Sequence, residues 1–200
     1  MFVAGGFERV YEIAPVFRAE KSHTSRHLTE FTGVDFEMAF IKDENELMDF
    51  VEEMLVDLLT KLKEESSSEL ELLEVDHKIP EDIPRITMAE AKALLAEKGK
   101  KYSDEDDLDP EGEKLLGEIV KEKYGSEFVF LTNFPFAVRP FYVMKPEEDS
   151  NGTKSFDLLF NGVEIATGAQ REHQLEILEK QAKGKGLDLD KMPEYKDLFK

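Results

Sequence analysis

The order of apolar and polar residues predicts two strands near the start of the chain. Residues 7–19 mix apolar and polar positions, and Pro15 interrupts them, which indicates an edge or bulged strand because proline lacks a backbone N–H. Residues 30–41 alternate more regularly. Together with a loop at residues 20–28, the two runs predict a long antiparallel hairpin. The apolar side of the second run carries Phe31, Val34, Phe36, Met38 and Phe40, and the other side carries Asp35, Glu37 and Ala39.

Apolar positions that recur every three or four residues predict four helices further along. The first has Asp43 as its N-cap and Glu46 as the capping partner, and the second has Thr87 and Glu90 in the same arrangement. The predicted helices span residues 43–65, residues 87–98, a segment that begins at Asp109-Pro110, and about residues 169–185.

Strand patterns return after the third helix, at residues 127–132, 140–145 and 155–160, and a tight turn at Asn161-Gly162 leads into a last strand at residues 163–167. Strands that pair through hairpins, with helices grouped between them, predict an α+β fold built on an antiparallel sheet. A chain of 200 residues is expected to form one domain. The helices at about residues 66–125 are then a helical insert.

Composition narrows the class of protein. The chain has no cysteine, which excludes disulfides and thiolate metal sites. It lacks a run of about 18 apolar residues and a secretory leader, so we expect a cytoplasmic protein that does not span a membrane. The formal net charge of -19 favours solubility and repels phosphate backbones.

The hairpin loop concentrates residues that bind anions. Arg18, Arg26 and His27 are donors suited to phosphate or carboxylate oxygens, Glu20 can accept from an exocyclic amine, and Phe31 can stack on a flat base. No glycine-rich phosphate loop occurs in the sequence, which disfavours a Rossmann or P-loop protein. The set therefore indicates a nucleotide site of another kind. The alternative is that Arg18 is a surface residue paired with Glu20.

A second candidate site lies on the last two strands. Asp157 and Glu164 flank the Asn161-Gly162 turn, and Thr167 follows, so two carboxylates and a hydroxyl suit Mg²⁺ held against phosphates. The alternative is a pair of solvated strand charges. Arg171 can grip a carboxylate with two hydrogen bonds, or can be a surface arginine at a helix start.

The run RAE…RHL…EF, from Arg18 to Phe31, resembles the second conserved motif of class II aminoacyl-tRNA synthetases, in the form found in aspartyl-tRNA synthetases of the archaeal and eukaryotic type. The segment GVEIATGAQREH resembles the same family. The resemblance implies that ATP is bound here, with Arg18 also on the amino-acid carboxylate as the catalytic arginine. The implied ATP-binding residues are Arg18, Ala19, Glu20, Arg26, His27, Leu28, Phe31 and Glu164.

The resemblance also assigns roles to the second candidate site. It makes Asp157, Glu164 and Thr167 the Mg²⁺ ligands, with Thr167 where the family usually has serine. It implies that Arg171 recognises the side-chain carboxylate of aspartate, and that Arg18 and Thr167 also bind the substrate. From their place on the polar face of the second strand, Asp35 and Glu37 could receive the substrate ammonium group, and structural ion pairing is the alternative.

The implied activity is that of an aspartate–tRNA ligase, with L-aspartate and tRNA as substrates and a homodimeric assembly. The alternatives are an asparaginyl-tRNA synthetase, a synthetase-derived paralogue that makes asparagine, or a non-catalytic relic that binds nucleotide or a partner. The segments TGAQR and FPFAVRPFYVM resemble the aspartyl form more closely. The match covers the middle of the family's catalytic domain, without its first and third motifs, so we expect residues 1–200 to be a partial domain.

Overall fold

A two-stranded hairpin forms most of the first of two units into which the chain divides. The computed structural model describes residues 2–19, 28–147 and 150–199. The units are Met1–Lys42 and Asp43–Lys200. In the first, β1 (Arg9–Phe17) pairs antiparallel with β2 (Glu30–Met38). The predicted hairpin is therefore confirmed, whereas residues 20–27 of its loop lie outside the described residues.

The second unit contains a four-stranded sheet in the order β3-β4-β5-β6. Its three hairpin strands fall where the sequence predicts them, but a short extra strand pairs parallel with β4 inside the predicted connector. The α+β class and the antiparallel pairing of the predicted strands are confirmed, and the short parallel strand is an addition that the sequence did not predict. The strands are β3 (Arg85–Thr87), β4 (Phe128–Thr132), β5 (Ser155–Phe160) and β6 (Val163–Ala169).

Side-chain caps explain where two of the helices begin. Thr87 and Glu90 form the predicted capping box, and Asp109 accepts the Gly112 N–H at 2.7 Å. The predicted cap of the first helix is wrong, because the helix begins after Glu44 without a side-chain cap. The helices are α1 (Asn45–Glu65), α2 (Ser67–Leu72), α3 (Met88–Glu97), α4 (Pro110–Tyr124), α5 (Leu175–Gly184) and α6 (Pro193–Lys196).

Two predicted elements differ in the structure. Residues 140–145 form only a single bridge, between Val143 and Arg171, instead of a strand. The last long helix begins at Leu175 rather than near residue 169, because β6 continues through Ala169. Residues 170–174 therefore link strand and helix, and Arg171 lies in extended chain.

The main core lies between the sheet and helices α3 and α4. Val129, Leu131 and Leu159 supply the sheet side, and Leu116 and Val120 supply much of the α4 side. Helix α4 also approaches the β5–β6 turn closely: a methyl group at Gly117 would lie 2.6 Å from the backbone nitrogen of Gly162. The sheet end that bears the candidate carboxylates is thus held against α4. Among the described residues, no helix is both long and apolar enough to cross a membrane.

Candidate functional site

A β-bulge decides which side chains share a face of the β5–β6 hairpin. Asp157 pairs with Thr167, whereas Leu159 pairs with Glu164, so Ile165 is an extra residue between the two registers. In a regular strand, residues 164 and 167 would face opposite sides of the sheet because side chains alternate. The bulge restores Glu164 to the face that carries Asp157 and Thr167. The three predicted metal ligands therefore lie on one face.

Hydrogen bonds hold two of these three residues together. The Thr167 hydroxyl donates to Oδ1 of Asp157 at 2.6 Å. On the other side of the carboxylate, Nη2 of Arg139 lies 2.7 Å from Oδ2 of Asp157, and the exposed fractions of the two side chains are 15% and 12%. The Arg139 guanidinium also covers the Phe134 ring, with Cζ 3.6 Å from the ring centroid. Asp157 is thus a buried acid with a cation beside it.

The electrostatics of this face resist two negative charges. Burial raises the pKa of Asp157, and the Arg139 guanidinium and the Thr167 hydroxyl oppose that rise. Burial and the Asp157 charge raise the pKa of Glu164 to about 7, and Glu113 on α4 adds to the rise. The Glu164 side chain keeps substantial contact with solvent, which screens part of this effect. A bound cation would relieve the repulsion between the two acids.

The donor set fits Mg²⁺ that is shared with a ligand. Asp157 and Glu164 offer hard carboxylate oxygens, and Thr167 offers a hydroxyl on the same face. Mg²⁺ commonly takes one or two carboxylates and completes its shell with water and substrate phosphates. Among the described residues, no group of three or more acidic or histidine side chains surrounds a metal position. The face therefore suits a metal ion that arrives with phosphates.

Arg171 lies four residues beyond Thr167, about 13 Å along an extended chain. Its backbone pairs with Val143, and its guanidinium lies over the Tyr142 ring, with Cζ 5.1 Å from the centroid. The side chain is exposed. Because the helix begins only at Leu175, Arg171 is an exposed arginine of the segment before the helix and does not lie at the helix start.

The hairpin of the first unit presents its own polar face. The strand register pairs Val16 with Phe31, and the Arg18 guanidinium lies over the Phe31 ring, with Cζ 5.1 Å from the centroid. By alternation, Asp35 and Glu37 share that face, so the expectation that Phe31 joins the apolar side of β2 is wrong. The hairpin thus brings a cation, an aromatic ring and two acids to one surface.

Other predicted residues of the hairpin are only partly placed. Ala19 and Leu28 lie beyond the strand ends with exposed side chains. Between them, the Arg18 N–H donates to the Thr29 carbonyl at 2.9 Å and extends the pairing by one residue. The predicted ATP-binding residues Glu20, Arg26 and His27 lie outside the described residues.

Sequence reasoning missed Arg139 as part of the site. It contacts both Asp157 and Thr167, yet it lies in a loop after a short 3₁₀ helix, Phe136–Val138, with no strand or helix pattern to point to it. The signal in the sequence was the short separation of five positions between Phe134 and Arg139, since an aromatic ring and a guanidinium often pair.

A comparison with protein families gives a match over the full chain. Residues 1–200 match the model for class II tRNA synthetases of the D, K and N group. The chain belongs to this family. Its α+β architecture is therefore that of a class II synthetase domain.

Curated relatives of this synthetase domain carry consistent names. The chain is 47% identical over 199 residues to an aspartate–tRNA(Asp/Asn) ligase of Thermus thermophilus, covering 99% of the chain and 46% of the relative. It is 41% identical over 205 residues to a cytoplasmic aspartate–tRNA ligase of Homo sapiens, covering all of the chain and 41% of that protein. The chain thus spans under half the length of these relatives.

Solved synthetase structures share the fold. An aspartyl-tRNA synthetase from Entamoeba histolytica superposes with a TM-score of 0.95 at 36% identity, over 100% of this chain and 42% of that one. An asparaginyl-tRNA synthetase from Pyrococcus horikoshii, solved with asparaginyl-adenylate, gives 0.89 at 29% identity, over 99% of this chain and 46% of that one. The aspartyl structure is the more similar of the two.

Proposed function

We propose that this chain is a partial catalytic domain of an aspartate–tRNA ligase, with residues 66–125 as its helical insert. The observation that carries the proposal is the bulged β5–β6 hairpin, which places Asp157, Glu164 and Thr167 on one face with Arg171 further along the same chain. The names of the relatives and the greater similarity to the aspartyl structure support aspartate over asparagine.

The proposed reaction has two steps. An oxygen of the aspartate α-carboxylate attacks the α-phosphorus of ATP, and the bond to the departing pyrophosphate breaks. A hydroxyl of the terminal tRNA ribose then attacks the carbonyl carbon of the adenylate and releases AMP. Neither step needs a nucleophilic side chain, so the protein contributes placement and neutralisation of charge.

The side chains divide this work. Arg18 binds the α-phosphate and the substrate carboxylate, and Phe31 stacks on adenine, while Ala19, Glu20, Arg26, His27 and Leu28 complete the ATP-binding segment. Arg171 takes the side-chain carboxylate of aspartate through two parallel hydrogen bonds. Asp157, Glu164 and Thr167 would hold Mg²⁺, which neutralises phosphate charge when bound. Arg139 keeps Asp157 and Thr167 in place.

The proposal extends to the partners and setting that the resemblance implies. L-aspartate and tRNA are the substrates, the assembly is a homodimer, and the protein is cytoplasmic, as the name of the human relative states for that protein. The second candidate is an asparaginyl enzyme, which the likeness to the Pyrococcus horikoshii structure favours.

Pyrophosphate exchange into ATP tests the proposal and separates the two candidates. The protein that carries this chain is offered L-aspartate or L-asparagine with ATP and Mg²⁺. We expect exchange with L-aspartate to exceed that with L-asparagine by about 10²-fold, since a carboxamide leaves an N–H of Arg171 unpaired. Preferential exchange with L-asparagine would establish the second candidate, and no exchange with either amino acid would contradict both.

A further inference from the structure

We propose that Tyr142 is a positioning residue for Arg171 and thereby helps the site select a carboxylate side chain. This inference rests on the proposed function, in which Arg171 binds the side-chain carboxylate of the substrate. The Tyr142 ring lies under the guanidinium, with Arg171 Cζ 5.1 Å from its centroid, which is within the range of a cation–π contact.

Backbone pairing fixes the offset between the two residues. The Glu172 N–H donates to the Tyr142 carbonyl at 2.8 Å, and the Met144 N–H donates to the Gln170 carbonyl at 2.9 Å. These bonds lie on either side of the bridge between Val143 and Arg171. The ring and the guanidinium therefore meet because of how the two segments pair, and not through the side chains alone.

Helix α5 fixes the backbone around Tyr142. The buried Gln181 side chain donates from Nε2 to the carbonyls of Phe141 and Val143, at 2.7 and 3.1 Å, and so fixes the backbone on both sides of Tyr142. The Tyr142 ring also packs edge-on against Phe141, with ring centroids 5.6 Å apart, at the margin of the α5 cluster that includes Leu178. Two independent contacts thus limit the freedom of the ring.

The chain beyond Arg171 is equally constrained. Glu172 is 4% exposed, and its Oε1 accepts the N–H groups of His173 and Gln174, each at 2.9 Å. These bonds turn the chain from the strand into α5 directly after Arg171. Tyr195, on α6, is close enough for the Arg171 charge to oppose the rise that burial causes in its pKa. The surroundings of Arg171 are therefore ordered on both sides.

This order matters because a guanidinium donates two parallel N–H groups to a carboxylate only while its plane is held. A cation–π contact with the Tyr142 ring restricts the rotation of the guanidinium and so favours one orientation of its N–H groups. A carboxamide presents one acceptor and one donor, so a fixed plane penalises it. A guanidinium that rotated freely would relax and discriminate less.

The first arm of the test uses NMR of the protein that carries this chain, with labelled arginine, in which Arg171→Lys assigns the Arg171 Nε–Hε signal. We expect an upfield ring-current shift of this signal that persists in Tyr142→Phe and disappears in Tyr142→Leu. The matched control is Tyr124→Leu, which removes the ring of another cation–π pair, with Lys123 at 5.3 Å, and should leave the signal unchanged. An Arg171 signal without a ring-current shift in the unaltered chain would overturn the proposal, whether or not the variants fold.

The second arm measures pyrophosphate exchange by the protein that carries this chain. Tyr142→Leu should raise the KM for L-aspartate by about 5- to 10-fold while the KM for ATP and kcat stay within about twofold, and Tyr142→Phe should restore the KM. Equal rises in both KM values would indicate a general structural role and overturn the proposal. Failure of the proposed function is a distinct result, namely a ring-current shift that is present in a protein without aspartate-dependent exchange.

Discussion

At the scale of single residues, the pair formed by Arg139 and Asp157 has the largest predicted effect on stability. Removing one partner of a buried ion pair leaves an uncompensated charge in the protein. We expect Arg139→Ala to lower the free energy of unfolding by about 3 kcal/mol, measured by urea denaturation. Asp157→Asn in the same chain should recover part of this loss.

The control for this prediction is Lys61→Ala, which removes an exposed ion pair with Asp57. Solvent screens such a pair, so no measurable change in stability is expected. A loss for Arg139→Ala as small as that of the control would show that the Arg139–Asp157 contact does not stabilise the fold.

Glu164 gives the chain a pH dependence of known sign. Its pKa is raised to about 7 in the folded protein, from the ordinary value of 4.5 for a glutamate. A carboxyl group with a raised pKa favours the folded state below its unfolded pKa, and this contribution is lost as the pH rises through the folded value. The difference in unfolding free energy between the wild type and Glu164→Gln should therefore fall between about pH 4.5 and 7 and then stay level. A difference that does not vary over this range would contradict the assigned environment of Glu164.

At the scale of elements, the contact between α4 and the β5–β6 turn holds the hairpin that carries the candidate metal ligands. A methyl group at Gly117 would lie 2.6 Å from the nitrogen of Gly162, and that glycine has a positive φ of 75°. Gly117→Ala should lower the free energy of unfolding by about 2 kcal/mol, measured by urea denaturation, because the backbone on both sides has little room to move.

Gly184→Ala provides the matched control, because nothing lies within 4 Å of the position that its methyl group would take. That substitution should be neutral or slightly stabilising, since alanine suits a helix better than glycine. Similar losses from the two substitutions would show that the Gly117–Gly162 approach is not tight in the folded protein.

Most elements could be predicted from the sequence because their patterns are local. The period of two located β2, and apolar repeats of three and four residues located the long helices, although α5 begins later than predicted. The Thr87–Glu90 capping box located the start of α3. The bulge at Ile165 could not be predicted, since an extra residue in a strand leaves no repeating signal and only the pairing with β5 reveals it. Residues 140–145 were mistaken for a strand because the apolar residues Phe141 and Tyr142, which pack against the α5 cluster, gave a strand-like pattern.

The sequence could predict which residues belong to the candidate site, but it could not predict most of the contacts between them. The acids at 157 and 164, the hydroxyl at 167 and the arginine at 171 could be read from the sequence through the family resemblance. Arg139 and Tyr142 could not, because their parts in the site follow from tertiary contacts with residues more than ten positions away.

At the scale of the whole molecule, the net charge of the chain and its length relative to its relatives bear on which parts of the proposed reaction it can carry. A formal net charge of -19 disfavours a large contact with the tRNA backbone, so tRNA affinity is expected to come largely from elsewhere in the proposed enzyme. The curated relatives described above are more than twice as long as the matched region. The roles that the proposal gives to this chain are therefore the binding of ATP, Mg²⁺ and aspartate.

The most direct test of these roles measures the binding of ATP with Mn²⁺ in place of Mg²⁺. The electron paramagnetic resonance of free Mn²⁺ monitors the binding. The account predicts that Glu164→Gln weakens binding of the Mn²⁺–ATP complex by about tenfold or more. Glu113→Gln, which removes a neighbouring acid of α4, should change it by less than about twofold. Equal affinities for the wild type and Glu164→Gln would contradict the claim that the bulged hairpin holds the metal ion of the nucleotide.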